Sequence, residues 1–413
     1  MSLLHFINEV NQTFSITDNA TKIEQLSRLL SIDPRENKYI SIIYNAKNIP
    51  STITTLYDDE WSAFSLIIRS FIKLCNEMDP WSVLKSFDLY TTYLNDLSIG
   101  FSNNTYGWLL SNIIKTTISQ MVPWARKLDL MMYFKEQGGK FRLNYMASVI
   151  LKIFNNIRIN DSNTFKTSII LYLGNTLCYI YFKLDNPLLC QNVFSNMQNT
   201  SLKLKDFPIT QQLKYKFYLG KFYLIKYQFL ESFENFQWCL VNTSSLRNQQ
   251  LVLELLIPIS LVIGKKPNFN YLSSRGLNLE IFNLYSQIFQ VVKSGDYKSF
   301  KQIVDQNYQY LKDKNLLLIM NKLEIVILRN LVKNVWVILG KLSSFNYTVI
   351  PIEGHAGDEL YLENVMVTLL DSNLIKGKLS TNKTVVLSKV DPFPQVNHIY
   401  KVRFSRRSVN QWM

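Results

Sequence analysis

Between Ser372 and Met413 the ionisable side chains are nearly all cations. Lys376, Lys378, Lys383, Lys389, Lys401, Arg403, Arg406 and Arg407 face a single acid, Asp391. Side chains of this type and density are suited to neutralising phosphate. Lys376 and Lys378 stand two apart, so on an extended strand they project from one face. Lys383 ends the polar run Ser380-Thr381-Asn382-Lys383, a turn between two β-prone stretches. A wing built in this way lies along a phosphate backbone while the helix ahead of it enters the major groove. The outward positions of that helix include Glu363, Asn364 and Thr368, which read bases poorly, so backbone contact without strong base readout is expected. The candidate nucleic-acid-binding residues are Lys376, Lys378, Lys383, Lys389, Arg403, Arg406 and Arg407. The competing reading is that these lysines only solvate an exposed wing.

A second basic cluster comprises Lys203, Lys205, Lys214, Lys216, Lys221 and Lys226, against Asp206. The interleaved Tyr215, Phe217, Phe222 and Tyr223 read as core rather than as base-stacking platforms. Lys214, Lys216, Lys221 and Lys226 are the candidates for receiving an acidic, unfolded partner. A third group is Arg126, Lys127, Lys135, Lys140 and Arg142. The net charge of +14 in 413 residues fits phosphate or acidic partners, and also fits a chain simply rich in Asn, Ile, Lys and Tyr.

Catalytic chemistry is not visible. His5, His355 and His398 are too few and too scattered for a metal site or a triad. Gly138-Gly139-Lys140 is followed by Phe141 rather than Ser or Thr, so it is not a phosphate loop. His355 reads as a solvated loop histidine near Glu353 and Asp358. No enzyme, cofactor, metal or small-molecule substrate is expected. Cys75, Cys178, Cys190 and Cys239 lie far apart in apolar helical patterns and read as buried free thiols in a reducing compartment. Met1-Ser2-Leu3-Leu4-His5 lacks the basic start and long apolar run of a signal peptide. The apolar run from Leu255 to Ile263 is shorter than the ~20 residues a bilayer requires. A soluble, intracellular chain without membrane insertion is expected.

The elements that must position these cations are almost all helices. Asp58-Asp59-Glu60 should open one long helix. Asp79-Pro80-Trp81-Ser82 should open the next, with Asp79 as N-cap, Pro80 in the first turn and Trp81 packed. Further helices are expected over Leu143–Arg158, Thr164–Leu184 and Pro187–Met197, joined by short polar breaks such as Asn160-Asp161-Ser162-Asn163. Such connections make hairpins, and a row of hairpins is a solenoid. Phe217 to Tyr223 carries the Leu-Gly pair of a tetratricopeptide-type first helix, with Ser232, Phe236 and Cys239 at second-helix positions. Gly220 should let the two helices approach, with Phe236 filling the space between them. A second hairpin is expected from Leu279–Lys293 and Tyr297–Leu311, turning at Ser294-Gly295-Asp296. An apolar helix from Asn315 to Leu339 then leads into helix Leu362–Leu370, a break at Asp371-Ser372-Asn373, and strands Leu374–Leu379 and Thr384–Leu387. The fold class is mainly α: a TPR-like helical solenoid followed by a C-terminal winged helix. The expected domains are residues 1–200 (helical repeats), 201–314 (TPR-like part), 315–394 (winged helix) and 395–413 (basic tail).

A solenoid running into a terminal winged helix resembles the PCI-domain family. The likeness extends to a series of segments: Tyr218-Leu219-Gly220-Lys221-Phe222-Tyr223, Arg247-Asn248, Leu256-Ile257-Pro258, Leu323-Glu324, Arg329-Asn330-Leu331 and Val385 through Pro394. The series is similar to the PCI subfamily containing the PCI subunit of transcription-export complex 2 and a signalosome-associated paralogue. Asp79-Pro80-Trp81-Ser82, Ile170-Leu171-Tyr172-Leu173 and Leu189-Cys190 resemble the export subunit more closely. The resemblance implies a nuclear scaffold that pairs its winged helix with that of a large PCI-containing subunit and binds a small acidic Sem/Dss-type protein. It further implies a shared RNA- or DNA-binding surface and association with the nuclear pore. The alternative it leaves open is a subunit that binds only proteins. It supplies no catalytic residues, and the lysines named above are inferred from this sequence alone.

Overall fold

Burial of one face per helix, repeated along the chain, builds nearly all of this molecule. The computed structural model describes residues 3–46, 59–79, 81–159, 163–274, 279–355 and 357–404. The chain divides into two compact units, the first reaching Tyr215 and the second running from Lys216 to Val409.

The first unit is a succession of helical hairpins. It opens with α1 (Leu3–Thr13), α2 (Asn19–Leu29), α3 (Ile40–Tyr44), α4 (Ser62–Glu77) and α5 (Val83–Phe101), followed by α6 (Ser111–Met131) and α7 (Phe141–Ile159). It closes with α8 (Thr164–Thr167), α9 (Ile170–Lys183), α10 (Cys190–Gln198) and the start of α11 (Ile209–Ile225). Trp61 is fully packed and its Nε1–H donates to the Gly100 carbonyl at 3.1 Å, tying α4 to α5. Lys166 is 2 % exposed, and its ammonium donates to the carbonyls of Phe101 (2.7 Å) and Asn103 (2.8 Å). It thereby satisfies carbonyls that the end of α5 leaves over.

Two local expectations fail here. The helix after Asp79 begins only at Val83, and Trp81 is 94 % exposed rather than packed. The Asp79 carboxylate instead accepts from the Trp81 N–H, while the Asp79 backbone exchanges hydrogen bonds with the Ser86 hydroxyl. That local loop takes up the polar groups an N-cap would have used. The expected helix over Thr164–Leu184 is interrupted between α8 and α9. Asp58 lies outside the described residues, and Trp61 directly precedes α4.

In the second unit α11 and α12 (Phe229–Asn242) form the expected tight hairpin. A Cβ on Gly220 would lie 3.0 Å from the Phe236 ring, and the Ser232 hydroxyl donates to the Gly220 carbonyl at 2.8 Å. α13 (Leu246–Val262) and α14 (Phe269–Ser274) follow, then α15 (Leu279–Ser294), α16 (Tyr297–Gln306) and α17 (Tyr308–Asp313). α18 (Leu317–Ile338) packs on α13, α15 and α16. The Asn330 and Asn334 side chains donate to the carbonyls of Val292 (2.6 Å) and Ser294 (2.7 Å) at the end of α15.

β1 (Ser344–Asn346), α19 (Glu359–Asp371), β2 (Gly377–Ser380) and β3 (Thr384–Leu387) complete the winged helix, with sheet order β1-β3-β2 and antiparallel pairing. Asp358 caps α19 through the Tyr361 N–H at 3.1 Å. Asn373, at φ +59°, ends the helix, and the Leu374 N–H reaches back to the Leu369 carbonyl. Pairing of Lys378 with Val386 and of Leu379 with Val385 sends alternate side chains outward and inward. Phe345, Val385 and Leu387 join Leu362, Val365, Met366 and Leu369 in the module's core. The expected class, mainly α with helical repeats running into a C-terminal winged helix, is the one observed. The segment read as a basic tail opens with α20 (Val396–Phe404), whose Val396 and Ile399 are buried.

The four cysteines are free and buried. Burial pushes the Cys75 and Cys239 thiols up to about 12. Among the described residues no acid, histidine and cysteine group could hold a metal, and no helix is long and apolar enough to cross a membrane.

Candidate nucleic-acid and docking interface

The wing brings some of the predicted cations together and neutralises one of them. Lys376, Lys378 and Lys389 are exposed, and none forms an ion pair with a described carboxylate. Lys376 lies one residue ahead of β2 yet continues its ladder, because its carbonyl accepts from the Ser388 N–H at 2.8 Å. It therefore keeps the parity expected with Lys378. Lys383 occupies the wing turn at φ +57°. Its ammonium is held by the Glu359 carboxylate at 2.6 Å, which raises its pKa from the ordinary value. Arg403 falls within α20, while Arg406 and Arg407 lie outside the described residues.

The helix that would enter a major groove has the wrong chemistry for it. α19 carries Glu359, Glu363 and Asp371 and no cation. Glu363, Asn364 and Thr368 do point outward, as the spacing predicts. Leu360 (71 % exposed) and Val367 (47 %) join them, adding an apolar element to that face. Beside it, a cleft of about 260 Å³ between α18 and α19 is lined by Glu324, Ile325, Leu328, Asn364, Val365 and Thr368. An acidic and apolar face repels phosphate and suits a protein surface. Glu359 in the first turn, and Leu360 lying off the stripe of Leu362, Val365, Met366 and Leu369, were legible in the sequence and were the signal for this.

The cluster on α11 is less unified than its spacing suggests. Lys214 and Lys221 stand seven apart, on one face. Lys216 is on the other side, half-buried, with its ammonium 5.8 Å from the Trp238 ring centre, and burial lowers its pKa. Lys226, just past the helix end, lies over Phe222 at 4.8 Å. Two of the five cations in the third group are paired with acids. Arg142 pairs with Glu136 (2.7 Å) and Asp129 (3.2 Å), and Lys140 pairs with Asp185 at 2.5 Å. His355 stacks on Tyr361 with ring centres 3.6 Å apart and has Asp358 at 3.6 Å, so it sits in a local loop cluster.

No protein-family model matches the chain. Nuclear mRNA export protein THP1 of Saccharomyces cerevisiae is 25 % identical over 394 residues, covering 81 % of this chain and 86 % of the yeast protein. The chain is similar to PCI-domain proteins as well. The PCI domain-containing protein 2 homolog of Dictyostelium discoideum is 26 % identical over 402 residues, or 94 % of this chain and 86 % of that protein. The protein CSN12 homolog of Schizosaccharomyces pombe is 25 % identical over 265 residues, 62 % of each chain. These PCI-domain likenesses accord with the helical repeats and terminal winged helix seen here.

Proposed function

We propose that this PCI-domain relative is a non-catalytic scaffold subunit of a nuclear mRNA export complex. It pairs through its winged helix with a large PCI-containing subunit, and the joint surface binds RNA or DNA along the wing. The observation that carries this reading is the division of the winged helix. α19 presents an acidic and apolar face, while Lys376 and Lys378 stand free on the strands. The first surface suits a protein and the second suits phosphate, so one module serves both. Lys214 and Lys221 on α11 offer a face to a small acidic protein of the Sem/Dss type. The name of the yeast relative supports placement in the nucleus, and association with the nuclear pore follows from the same reading.

The test is purification of the tagged chain from nuclear extract, followed by RNA binding of the recovered complex. Recovery of a larger PCI-containing chain with export factors is expected, as is weaker RNA binding after Lys376→Glu and Lys378→Glu. A complex that lacks both partners, or binds RNA equally well after both changes, refutes the reading. The second reading, a subunit that binds only proteins, draws support from the Lys383–Glu359 pair and from the CSN12 homolog relative. It predicts recovery of a different PCI partner and indifference to the wing substitutions.

A further inference from the structure

A cavity of about 610 Å³ lies within the second unit, bounded by the ends of α13 and α15, the middle of α18 and residues 393–397. Its ionisable lining is Lys265, Lys266, Lys293, Arg329 and Lys333, with no carboxylate among them. None of these cations forms an ion pair with a described carboxylate. Glu234 acts on Lys265 and Asp391 on Arg329 from nearby, but neither lines the space, and Lys401 adds a further positive charge beside Lys265. The partly negative carbonyl ends of α13 and α15 account for a cation apiece. They do not account for five cations from three helices and their ends around one concavity.

Arg329 is the decisive member. It is 6 % exposed, and its Nη2 donates to the carbonyls of Phe393 (2.9 Å) and Pro394 (2.8 Å). Its Nη1 donates to Asn330 Oδ1 at 2.7 Å. Its Nε–H is buried without any partner. A buried guanidinium that meets carbonyls and one amide, with Asp391 only nearby, carries a charge that an anion in the cavity would offset. Lys265 is half-buried with its ammonium 3.6 Å from the Phe233 ring centre, so it too is drawn partly out of water. The rim is fixed by Gly264 at φ +74°, where a Cβ would lie 2.7 Å from that of Val396.

We propose that this cavity binds a compact polyphosphorylated anion of the inositol polyphosphate class. The volume falls in the range of small-molecule sites, about 300–1,000 Å³. Guanidinium and ammonium groups converging from several segments match phosphates spread around a small ring. A nucleic-acid backbone instead asks for an open groove that follows successive phosphates. The site is distinct from the wing surface, and it stands whether or not the export reading does.

The probe is myo-inositol hexakisphosphate, titrated calorimetrically into the full-length chain at about 0.15 M salt. One molecule per chain should bind, with a rise in melting temperature. Each of Lys266→Gln, Lys293→Gln and Lys333→Gln should weaken binding about tenfold, the worth of one charge-assisted contact. Lys376→Gln with Lys378→Gln should leave it unchanged. Lys266 and Lys293 are exposed and Lys333 is half-buried, and circular dichroism checks that all three variants fold as the parent does. No binding at millimolar probe, several molecules per chain, or equal loss from the wing variant overturns the proposal. So does displacement by single-stranded RNA whose affinity grows with its length, which would make the cavity part of a nucleic-acid path.

Discussion

Replacing Glu359 by Gln should make the wing bind nucleic acid more tightly. Lys383 Nζ lies 2.6 Å from the Glu359 carboxylate, and both side chains are about half exposed. An ion pair so exposed is screened by solvent and contributes little to stability, so removing its acid should leave the fold intact. The freed ammonium can then displace one counterion from a phosphate. One such contact steepens the dependence of log affinity on log salt by about 0.9 on duplex. At about 0.1 M salt that corresponds to roughly eightfold in affinity, or about 1.2 kcal/mol. Lys376 and Lys378 have no such partner, so their joint change to Gln should flatten the slope by about 1.8. Lys383→Gln in the parent chain should change it far less. The assay is fluorescence anisotropy of a labelled duplex between about 50 and 200 mM salt, with the chain assembled on its partner. An E359Q slope equal to that of the parent, or a Lys383→Gln loss as large as that of Lys376→Gln, refutes the masking of Lys383 by Glu359. A slope unchanged by the joint Lys376 and Lys378 change refutes the assignment of the wing as the phosphate surface.

Leu360→Glu with Val367→Glu should abolish co-elution with a winged-helix partner in size-exclusion chromatography. Both residues point outward, so stability in urea should shift by no more than about 0.5 kcal/mol for each. Gly264→Val forces a side chain onto a left-handed backbone and against Val396, and should cost about 3 kcal/mol in urea unfolding. Lys166 should give stability a pH dependence. Burial lowers its folded pKa to about 8 against the ordinary 10.5, so between those values the unfolded chain holds the extra proton. Unfolding free energy should therefore rise with pH across that window, by up to about 3 kcal/mol, and Lys166→Met should flatten the rise relative to the parent.

Several readings that rested on neighbours along one helix or one hairpin survived, though the breaks inside Thr164–Leu184 and Tyr297–Leu311 did not show in the spacing. The Gly220–Phe236 approach, the Ser232 position, the turn at Gly295, and the helix and two wing strands of the C-terminal module were set by spacing of a few residues, whereas β1 was not foreseen. Where the deciding partner was distant, it was invisible. The cations near Lys140 and Arg142 looked free until Asp129, Glu136 and Asp185 were found against them. Lys383 looked free until Glu359, twenty-four residues earlier, was found on it. Trp81 was misplaced because an N-cap rule was applied where a local Asp79–Ser86 loop competes for the same polar groups. The cation-lined cavity draws on segments more than a hundred residues apart, and no run of the sequence foreshadows it.

α18 belongs to two bodies at once. Its α13- and α15-facing side closes the repeats, and another side, through Glu324, Ile325 and Leu328, lies against α19. Asn330 and Asn334 pin its middle to the end of α15. The direction in which the wing faces is therefore a matter of helical phase. Each residue of an α-helix turns about 100° and advances about 1.5 Å. One residue inserted after Leu328 would turn the α19-bearing face, and the wing with it, by about 100° relative to Asn330 and Asn334. Seven would return it to nearly its old bearing, displaced by about 10 Å. The helix acts as a protractor and a ruler, so the aim of the binding surface is encoded in a residue count and not in a hinge.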